Sequence, residues 1–393
     1  AAGARLVSTT DALAAALPAS LPHLASTRGA MIIYTSGTTG RPKGVVQKPR
    51  NVLHQTMTYA NGLQLGRDDR MTQLHSHGFS ASRLDIFGAL LTGAALFPIS
   101  VAEEGFGRFA RWLRDEQITV LHWVPTAFRH FANTLDKREL FPALRLIVLG
   151  SEPLSSRDVE LYRQYSSPGC VLVNRFGTTE TGNIRWYFID KQTATSRGPV
   201  PVGYAVEDTE VLLLDDEGKR LENDQIGEIA VKSRYLSPGY WRRPDLTAAV
   251  FSSDPVDSTM TIYRTGDMGR ILPDGCLLHL GRKDFQVKIR GYRVEVGEVE
   301  RMLLEHSAIA AAVVAVRSDH FEGKQLVAYY VCADASPPTS STLRSFLAAR
   351  LPAYMVPSAF VRLEALPRTP SGKVDRQALP EPDREAPEVV API

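Results

Sequence analysis

The chain is poor in cysteine, holding only Cys170, Cys276 and Cys332 in 393 residues. They form no C-x-x-C pair and no Cys/His cluster, which excludes a zinc framework and a disulfide scaffold. Isolated thiols suit a reducing compartment, so a cytoplasmic location is expected. Net charge is nearly absent too: 45 Lys and Arg against 43 Asp and Glu leave +2. That balance provides no basic field for nucleic acid. No run of 18 apolar residues occurs, and no membrane-spanning helix is expected. Ala12 to Leu24 is Ala/Leu-rich, but Pro18 and Pro22 interrupt it and it lacks the basic start of a signal peptide. It is read as helix and loop of a domain that starts upstream. What remains, 44% hydrophobic and 22% charged, is the composition of a soluble globular protein. A chain of 393 residues is long for one core, so two domains are expected.

The most informative stretch is Tyr34-Thr-Ser-Gly-Thr-Thr-Gly-Arg-Pro-Lys-Gly44. It follows Ala30-Met-Ile-Ile33, which reads as a short buried strand. Three glycines, four Ser/Thr hydroxyls and the cations Arg41 and Lys43 share its eleven positions. Glycine lets backbone N–H groups approach a ligand closely, and hydroxyls and cations complete a polyphosphate cradle. The Walker A spacing is absent.

Apolar strands then alternate with helices. Helices are expected over Asn51 to Leu63, with Leu53, Met57 and Ala60 on one side, and after Phe79, with Leu84, Phe87, Leu90 and Leu91 at core spacing. Phe106 to Glu116 reads as an amphipathic helix, and another starts at Pro125. Ile118 to Val124, Leu144 to Leu149 and Val171 to Val173 read as strands. The alternation predicts an α/β sheet that is at least partly parallel. Ligands of such sheets sit beyond the strand carboxyl ends, which singles out the loops after Ile33, Leu149 and Val173. From Pro201 the texture changes to short strands and turns, a small barrel or meander read as scaffold, Ser237-Pro-Gly-Tyr-Trp241 included. A smaller unit follows, with a helix from Gly297, strands over Ala308 to Val316 and Gln325 to Val331, and a helix from Thr342 to Leu351.

The phosphate-loop string resembles that of the adenylate-forming superfamily, which includes acyl-CoA synthetases, luciferases and the adenylation domains of nonribosomal peptide synthetases. Further stretches resemble motifs of that family in order: Phe79-Ser-Ala-Ser82, Asn174-Arg-Phe-Gly-Thr-Thr-Glu180, Tyr263-Arg-Thr-Gly-Asp267, Gly281-Arg-Lys-Asp284, Leu351-Pro-Ala-Tyr-Met-Val-Pro357 and Pro370-Ser-Gly-Lys-Val-Asp-Arg376. The resemblance runs from Ala30 to about Arg376 and is nearest to peptide-synthetase adenylation domains. Family members carry a larger block before the phosphate loop, so this chain is expected to begin within the domain. The implied fold is α/β: a large sheet domain with a small β-barrel-like subdomain, then a smaller α+β C-terminal domain. The implied division is 1–283, 284–380 and a linker at 381–393, which in the family leads to a carrier-protein domain.

The resemblance also implies roles. ATP and Mg²⁺ are the implied cofactors. Thr35, Ser36, Gly37, Thr38, Thr39, Gly40 and Lys43 would hold the departing pyrophosphate. Asn174 would meet the adenine amino group, Phe176 would stack on the ring, and Gly177 of the same motif would join them in binding the nucleotide. Thr179 would contact the α-phosphate, Glu180 would hold Mg²⁺, and Asp267 and Arg282 would bind the ribose. Asp284 would be the hinge, about which the small domain turns to exchange Lys373, the implied catalytic lysine, for the loop at Gly291.

The substrate pocket mapped by resemblance is Phe79, Ser80, Ala81, Leu84, Thr126, Ile147, Leu149, Arg175, Asn183 and Ile184. Amino-acid-activating members hold the substrate ammonium with an aspartate where this chain has Ser80. A hydroxyl cannot compensate a desolvated ammonium. Asp85 does not replace it, because the family carries an acid there anyway. The expectation is activation of an acid without a free α-amine, aryl, hydroxy, keto or fatty, followed by transfer to a carrier phosphopantetheine. The alternatives are an amino-acid-activating domain, a free-standing acyl-CoA ligase or an inactive fragment. Arg175 is the odd pocket member: it either pairs with a second acidic group on the substrate or serves solvent and protein contacts.

Overall fold

The computed structural model describes residues 29–35, 42–136, 140–194, 200–283, 286–289, 292–319, 323–333, 337–367, 374–376 and 378–382. Chain order begins with β1 (Met31–Thr35), β2 (Lys43–Gln47), α1 (Pro49–Gly62), β3 (Arg70–Gln73), α2 (Ser80–Thr92), β4 (Ala95–Pro98) and α3 (Val101–Asp115). Then come β5 (Val120–Trp123), α4 (Pro125–Asn133), β6 (Leu146–Gly150), α5 (Ser156–Tyr165), β7 (Val171–Thr178), β8 (Gly182–Ile189) and β9 (Tyr204–Ala205).

The large sheet has the order β4-β3-β5-β6-β7-β8-β9. Its first five strands are parallel, and β8 and β9 turn antiparallel. β5 and β6 are buried at every position, as a strand covered on both faces must be. On one face Tyr59, Leu84, Met71, Val148, Val173 and Trp186 form a core beneath α1 and α2. On the other, Phe109, Phe128, Phe131, Ile147, Leu149 and Tyr162 pack beneath α3, α4 and α5. Helix α5 starts on a capping box, with Ser155 and Asp158 bonding each other's backbone N–H.

Three local expectations are corrected. β1 is not buried: of its residues only Ile33 is, and Tyr34 is 62% exposed. It also lies outside the large sheet, pairing only with β2 in an antiparallel hairpin. Leu53 and Met57 of α1 face outward, as do Leu90 and Leu91 of α2. The inward faces instead carry Asn51, Gln55, Thr56 and Tyr59 on α1, and Ser82, Arg83, Leu84 and Asp85 on α2. Apolar spacing selects the wrong face wherever a helix turns a bonded polar network inward.

A second, antiparallel sheet follows, built from β10 (Glu210–Leu214), β11 (Ile226–Ser233), β12 (Phe251–Ser253), β13 (Thr261–Ile271) and β14 (Leu277–Arg282), with α6 (Pro244–Val250) before β12. Its core, Val211, Ile229, Val231 and Leu277, includes Phe176 and Ile184 from β7 and β8, which locks the two sheets together. The C-terminal unit comprises the hairpin β15 (Gln286–Ile289) and β16 (Tyr292–Glu295), then α7 (Val296–Leu304), β17 (Ile309–Asp319), β18 (Gly323–Cys332), α8 (Ser340–Ala348) and β19 (Ala359–Arg362). Tyr292 stacks on Tyr354 within this unit and meets Phe79, the residue before α2, edge to face at 4.5 Å. Among the described residues no helix is long and apolar enough to cross a membrane.

Candidate active site

The turn between β7 and β8 is closed by its own hydroxyls. Thr178 N–H donates to Thr181 Oγ1, and the two hydroxyls lie 3.0 Å apart. A Cβ on Gly177 would stand 2.0 Å from the Gly182 carbonyl oxygen, so only glycine fits there. The turn presents Glu180, fully buried, to two partners. Tyr240 OH donates to its Oε1 at 2.9 Å, and Lys43 Nζ stands 3.6 Å from the same oxygen. Lys43 Nζ also donates to Tyr240 OH at 2.9 Å. Tyr240 comes from the stretch read as scaffold. Its backbone bridges to Val45, and Ser237 N–H donates to the Glu180 carbonyl, so Ser237–Trp241 belongs to the site. A Gly-Tyr-Trp turn gives no chemical signal until the hairpin of β1 and β2 is placed against it.

Thr179 sits beside Ser80: its Oγ1 donates to Ser80 Oγ at 3.3 Å, and its carbonyl accepts from Gln47 Nε2. Thr35 and Lys43 face each other across the hairpin, and Thr35 Oγ1 is buried without a hydrogen-bond partner among the described residues. Ser36, Gly37, Thr38, Thr39 and Gly40 between them lie outside the described residues, as do Asp284, Gly291 and Lys373.

The residues expected at the nucleoside converge. Asp267 and Arg282 are cross-strand partners on β13 and β14, and Arg282 Nη1 donates to Asp267 Oδ1 at 3.2 Å. His279 Nε2 lies 3.2 Å from the same oxygen and its ring is 5.2 Å from that of Phe176. Sequence reasoning missed His279; its trace is one polar residue inside Leu277-Leu-His-Leu280. Asn174 is buried and donates its side-chain amide to the Pro201 carbonyl. Glu180 offers the oxygen donors a hard ion such as Mg²⁺ takes, on a fully buried carboxylate already matched to a cation, so the donor chemistry fits that ion.

Beneath α1 and α2 lies a polar interior that no motif announces. Asp85 accepts from His122 Nδ1 at 2.6 Å, with His75 Nδ1 3.3 Å from its other oxygen and Tyr59 OH donating at 3.2 Å. The three ligating atoms of His75, Asp85 and His122 fall within 4.8 Å of one another, bound as a closed hydrogen-bond network. Burial pushes the His122 imidazole down to about 4, against the pull of Asp85. Burial also opposes ionisation of Asp85, but its two histidine partners outweigh it and hold the carboxyl below its usual range. The result is a neutral His122 donating to an ionised Asp85.

Arg175 is buried against this network, 7% exposed, and donates Nε–H to Asn183 Oδ1. Arg83 is buried nearby, donating to Gln47 Oε1 and Gln55 Oε1. Burial lowers both guanidinium pKa values, that of Arg83 to about 10, with Arg175 adding like-charge repulsion.

The other mapped pocket residues are distributed. Ala81 and Leu84 are buried on the face of α2 that carries Arg83 and Asp85. Thr126 N–H donates to the Glu152 carboxylate at the start of α4. Ile147 and Leu149 are closed into the core on the opposite sheet face, and Ile184 packs with Phe176 under the second sheet.

A model of the AMP-binding enzyme family matches residues 5–241, and one of the AMP-binding enzyme C-terminal domain matches residues 298–373. Tyrocidine synthase 1 of Brevibacillus parabrevis is 36% identical over 358 residues, covering 91% of this chain and 32% of that protein. The chain thus spans about a third or less of the length of such curated relatives. A solved malonyl-CoA ligase complex with methylmalonyl-CoA and AMP superposes with TM-score 0.74 at 32% identity, over 89% of this chain and 74% of that one. A nonribosomal peptide synthetase protein containing adenylation and PCP domains superposes with TM-score 0.78 at 30% identity, over 92% and 62%. The fold, the ordered motifs and these likenesses agree: the chain belongs to the AMP-binding family of adenylate-forming enzymes.

Proposed function

We propose that the chain uses ATP to activate a carboxylic acid lacking an α-amino group and then passes the acyl group to a phosphopantetheine thiol of a carrier domain. The observation that carries the substrate reading is at the start of α2. Ser80 bonds Thr179 there, and the acid on that helix, Asp85, is already engaged by His75, His122 and Tyr59. Among the described residues no carboxylate is left on this wall to match an ammonium.

In the first step a substrate carboxylate oxygen attacks the α-phosphorus of ATP, and pyrophosphate leaves with the electron pair of the broken P–O bond. The protein's work here is positioning and electrostatics. In this reading Thr179, beside Ser80, donates to an α-phosphate oxygen, Lys43 and the loop after Thr35 serve the departing phosphates, and Asp267, Arg282 and His279 orient the ribose. Glu180 would hold Mg²⁺, which when bound offsets phosphate charge. Lys373 serves the reacting centre in this reading. In the second step the thiolate attacks the acyl carbon and AMP leaves. The division at 1–283, 284–380 and 381–393, the hinge at Asp284, the other pocket assignments and a cytoplasmic location belong to the same proposal.

A relative containing adenylation and PCP domains supports the carrier as acceptor, and a malonyl-CoA ligase favours CoA as the second reading. The test is ATP–pyrophosphate exchange with each α-amino acid set against its keto, hydroxy and deamino analogues, with Lys373→Ala as the control. Exchange confined to the amine-free acids supports the proposal, and exchange confined to amino acids overturns it. Presenting the acyl-adenylate to holo carrier protein and to CoA then selects the acceptor.

A further inference from the structure

The buried face of β7, β8 and α2 holds more donors than acceptors. Asn183 is 3% exposed, and its Oδ1 is taken by Arg175 Nε. An amide oriented that way must aim its NH₂ elsewhere, and Nδ2 finds no acceptor among the described residues. Gln55 repeats the pattern: Oε1 accepts from Arg83, while Nε2 is buried without an acceptor. Gln55 lies against Gly182, the residue before Asn183, so the two idle amides are neighbours. Arg83 Nε is a third buried donor without an acceptor.

Charge is unbalanced in the same sense. Among the described residues neither Arg83 nor Arg175 stands within ion-pair distance of a carboxylate; their side chains donate there to amide oxygens. Asp85, the nearby acid, attracts Arg175, but its oxygens already serve His75, His122 and Tyr59, and one carboxylate leaves the two guanidiniums with an excess positive charge. Two buried guanidiniums that repel each other are costly unless an anion joins them. A folded interior normally satisfies its buried polar groups, so idle donors beside a guanidinium with no carboxylate at ion-pair distance mark a place for an acceptor that arrives from outside.

We propose that this acceptor is a second carboxylate on the substrate: Arg175 and Asn183 together hold the distal acid of a dicarboxylic acid while its other carboxylate is presented at Thr179. This rests on the adenylation reading and adds the substrate class to it. The planar guanidinium matches a carboxylate, and the Asn183 amide supplies a further donor. Substrates with a neutral tail leave the guanidinium and amide buried and unmatched, and the site rejects them for that reason.

The experiment is ATP–pyrophosphate exchange on the full chain with malonic, succinic and glutaric acids, each set against its half-amide and the monocarboxylic acid of equal length. α-Amino acids are included as a separate arm. Wild type should prefer the best dicarboxylic acid over its neutral-tailed partner by about 100-fold in kcat/KM. Arg175→Leu should erase that ratio, and Arg175→Lys should keep part of it. Thermal melts of each variant exclude misfolding, and the preference of wild type stands as evidence even where Arg175→Leu fails to fold. Equal or better exchange with monocarboxylic acids overturns the dicarboxylate assignment alone, whereas better exchange with amino acids overturns the amine-free substrate reading with it and leaves only acid adenylation standing. Absence of exchange with every acid, on folded protein, overturns both.

Discussion

Thr179 and Ser80 meet through their hydroxyls, 3.3 Å apart across 99 positions of chain. The contact joins the turn after β7 to the first residue of α2, so in the proposed reaction a change at Ser80 is felt where the acid reacts. Ser80→Asp places a carboxylate at that point. A helix N-terminus tolerates the charge, so folding should persist. Exchange with amine-free acids should fall by roughly tenfold or more, because two carboxylates then compete for one place. A thermal melt and the exchange assay together check this, and an unchanged rate means Ser80 does not face the substrate.

The Lys43–Glu180 pair is buried on both sides, at 7% and 0% exposure, with Tyr240 between. Breaking such a pair leaves a charge stranded, a loss on the order of 3–5 kcal/mol. Lys43→Met and Glu180→Gln should therefore each lower stability strongly, and the double variant should lose much less than the sum. Tyr240→Phe removes the bridging hydroxyl alone and should lose on the order of 1–3 kcal/mol. Urea denaturation of wild type, the two single variants and the double variant closes the cycle, and the same measurement on Tyr240→Phe checks the hydroxyl. Additive losses would show that the two charges do not depend on each other.

How much of this was readable beforehand depends on which residues carry it. The parallel strands announce themselves because β6 is an unbroken apolar run and β5 is interrupted only by His122, and the motif residues Thr179, Glu180, Asp267 and Arg282 stand in recognisable strings. The faces of α1 and α2 were misread because their inward sides hold Gln55, Arg83 and Asp85, whose bonds to other segments offset their burial. Tyr240, His122 and His279 were invisible for a related reason: each is one polar residue in an apolar or turn setting, and its partner lies far along the chain.

His122 makes stability depend on pH. Its ordinary value is 6.5 and burial holds it at about 4 in the fold. Between those values the unfolded chain binds the proton and the folded one does not. Stability is thus complete above about pH 6.5 and falls as pH drops towards 4, by on the order of 3 kcal/mol. The groups facing the ring are Asp85, His75, Tyr59 and Arg175. Asp85, held below its usual range, gives up its own contribution only at lower pH, as it is protonated. His122→Asn keeps a donor for Asp85 and removes the titration. Urea midpoints across this window should slope less steeply for the variant by up to one proton, and parallel slopes would exclude His122 as the source.

Asp267 accepts from Arg282 and lies beside His279, and it is 2% exposed. In the proposed role its carboxylate accepts from the ribose hydroxyls, and in the free protein Arg282 and His279 hold it in place. Asp267→Asn keeps the shape, removes the charge and turns one acceptor oxygen into a donor facing Arg282 and His279. A hydrogen bond to a charged group contributes on the order of 1.5–3 kcal/mol, so the KM for ATP should rise about 10- to 100-fold. The KM for the acid should move little, because Ser80, Arg175 and Asn183 lie on other strands and helices. Steady-state exchange with ATP and acid varied in turn separates the two constants. A rise in both by the same factor would place Asp267 in the scaffold of the second sheet instead of at the nucleoside.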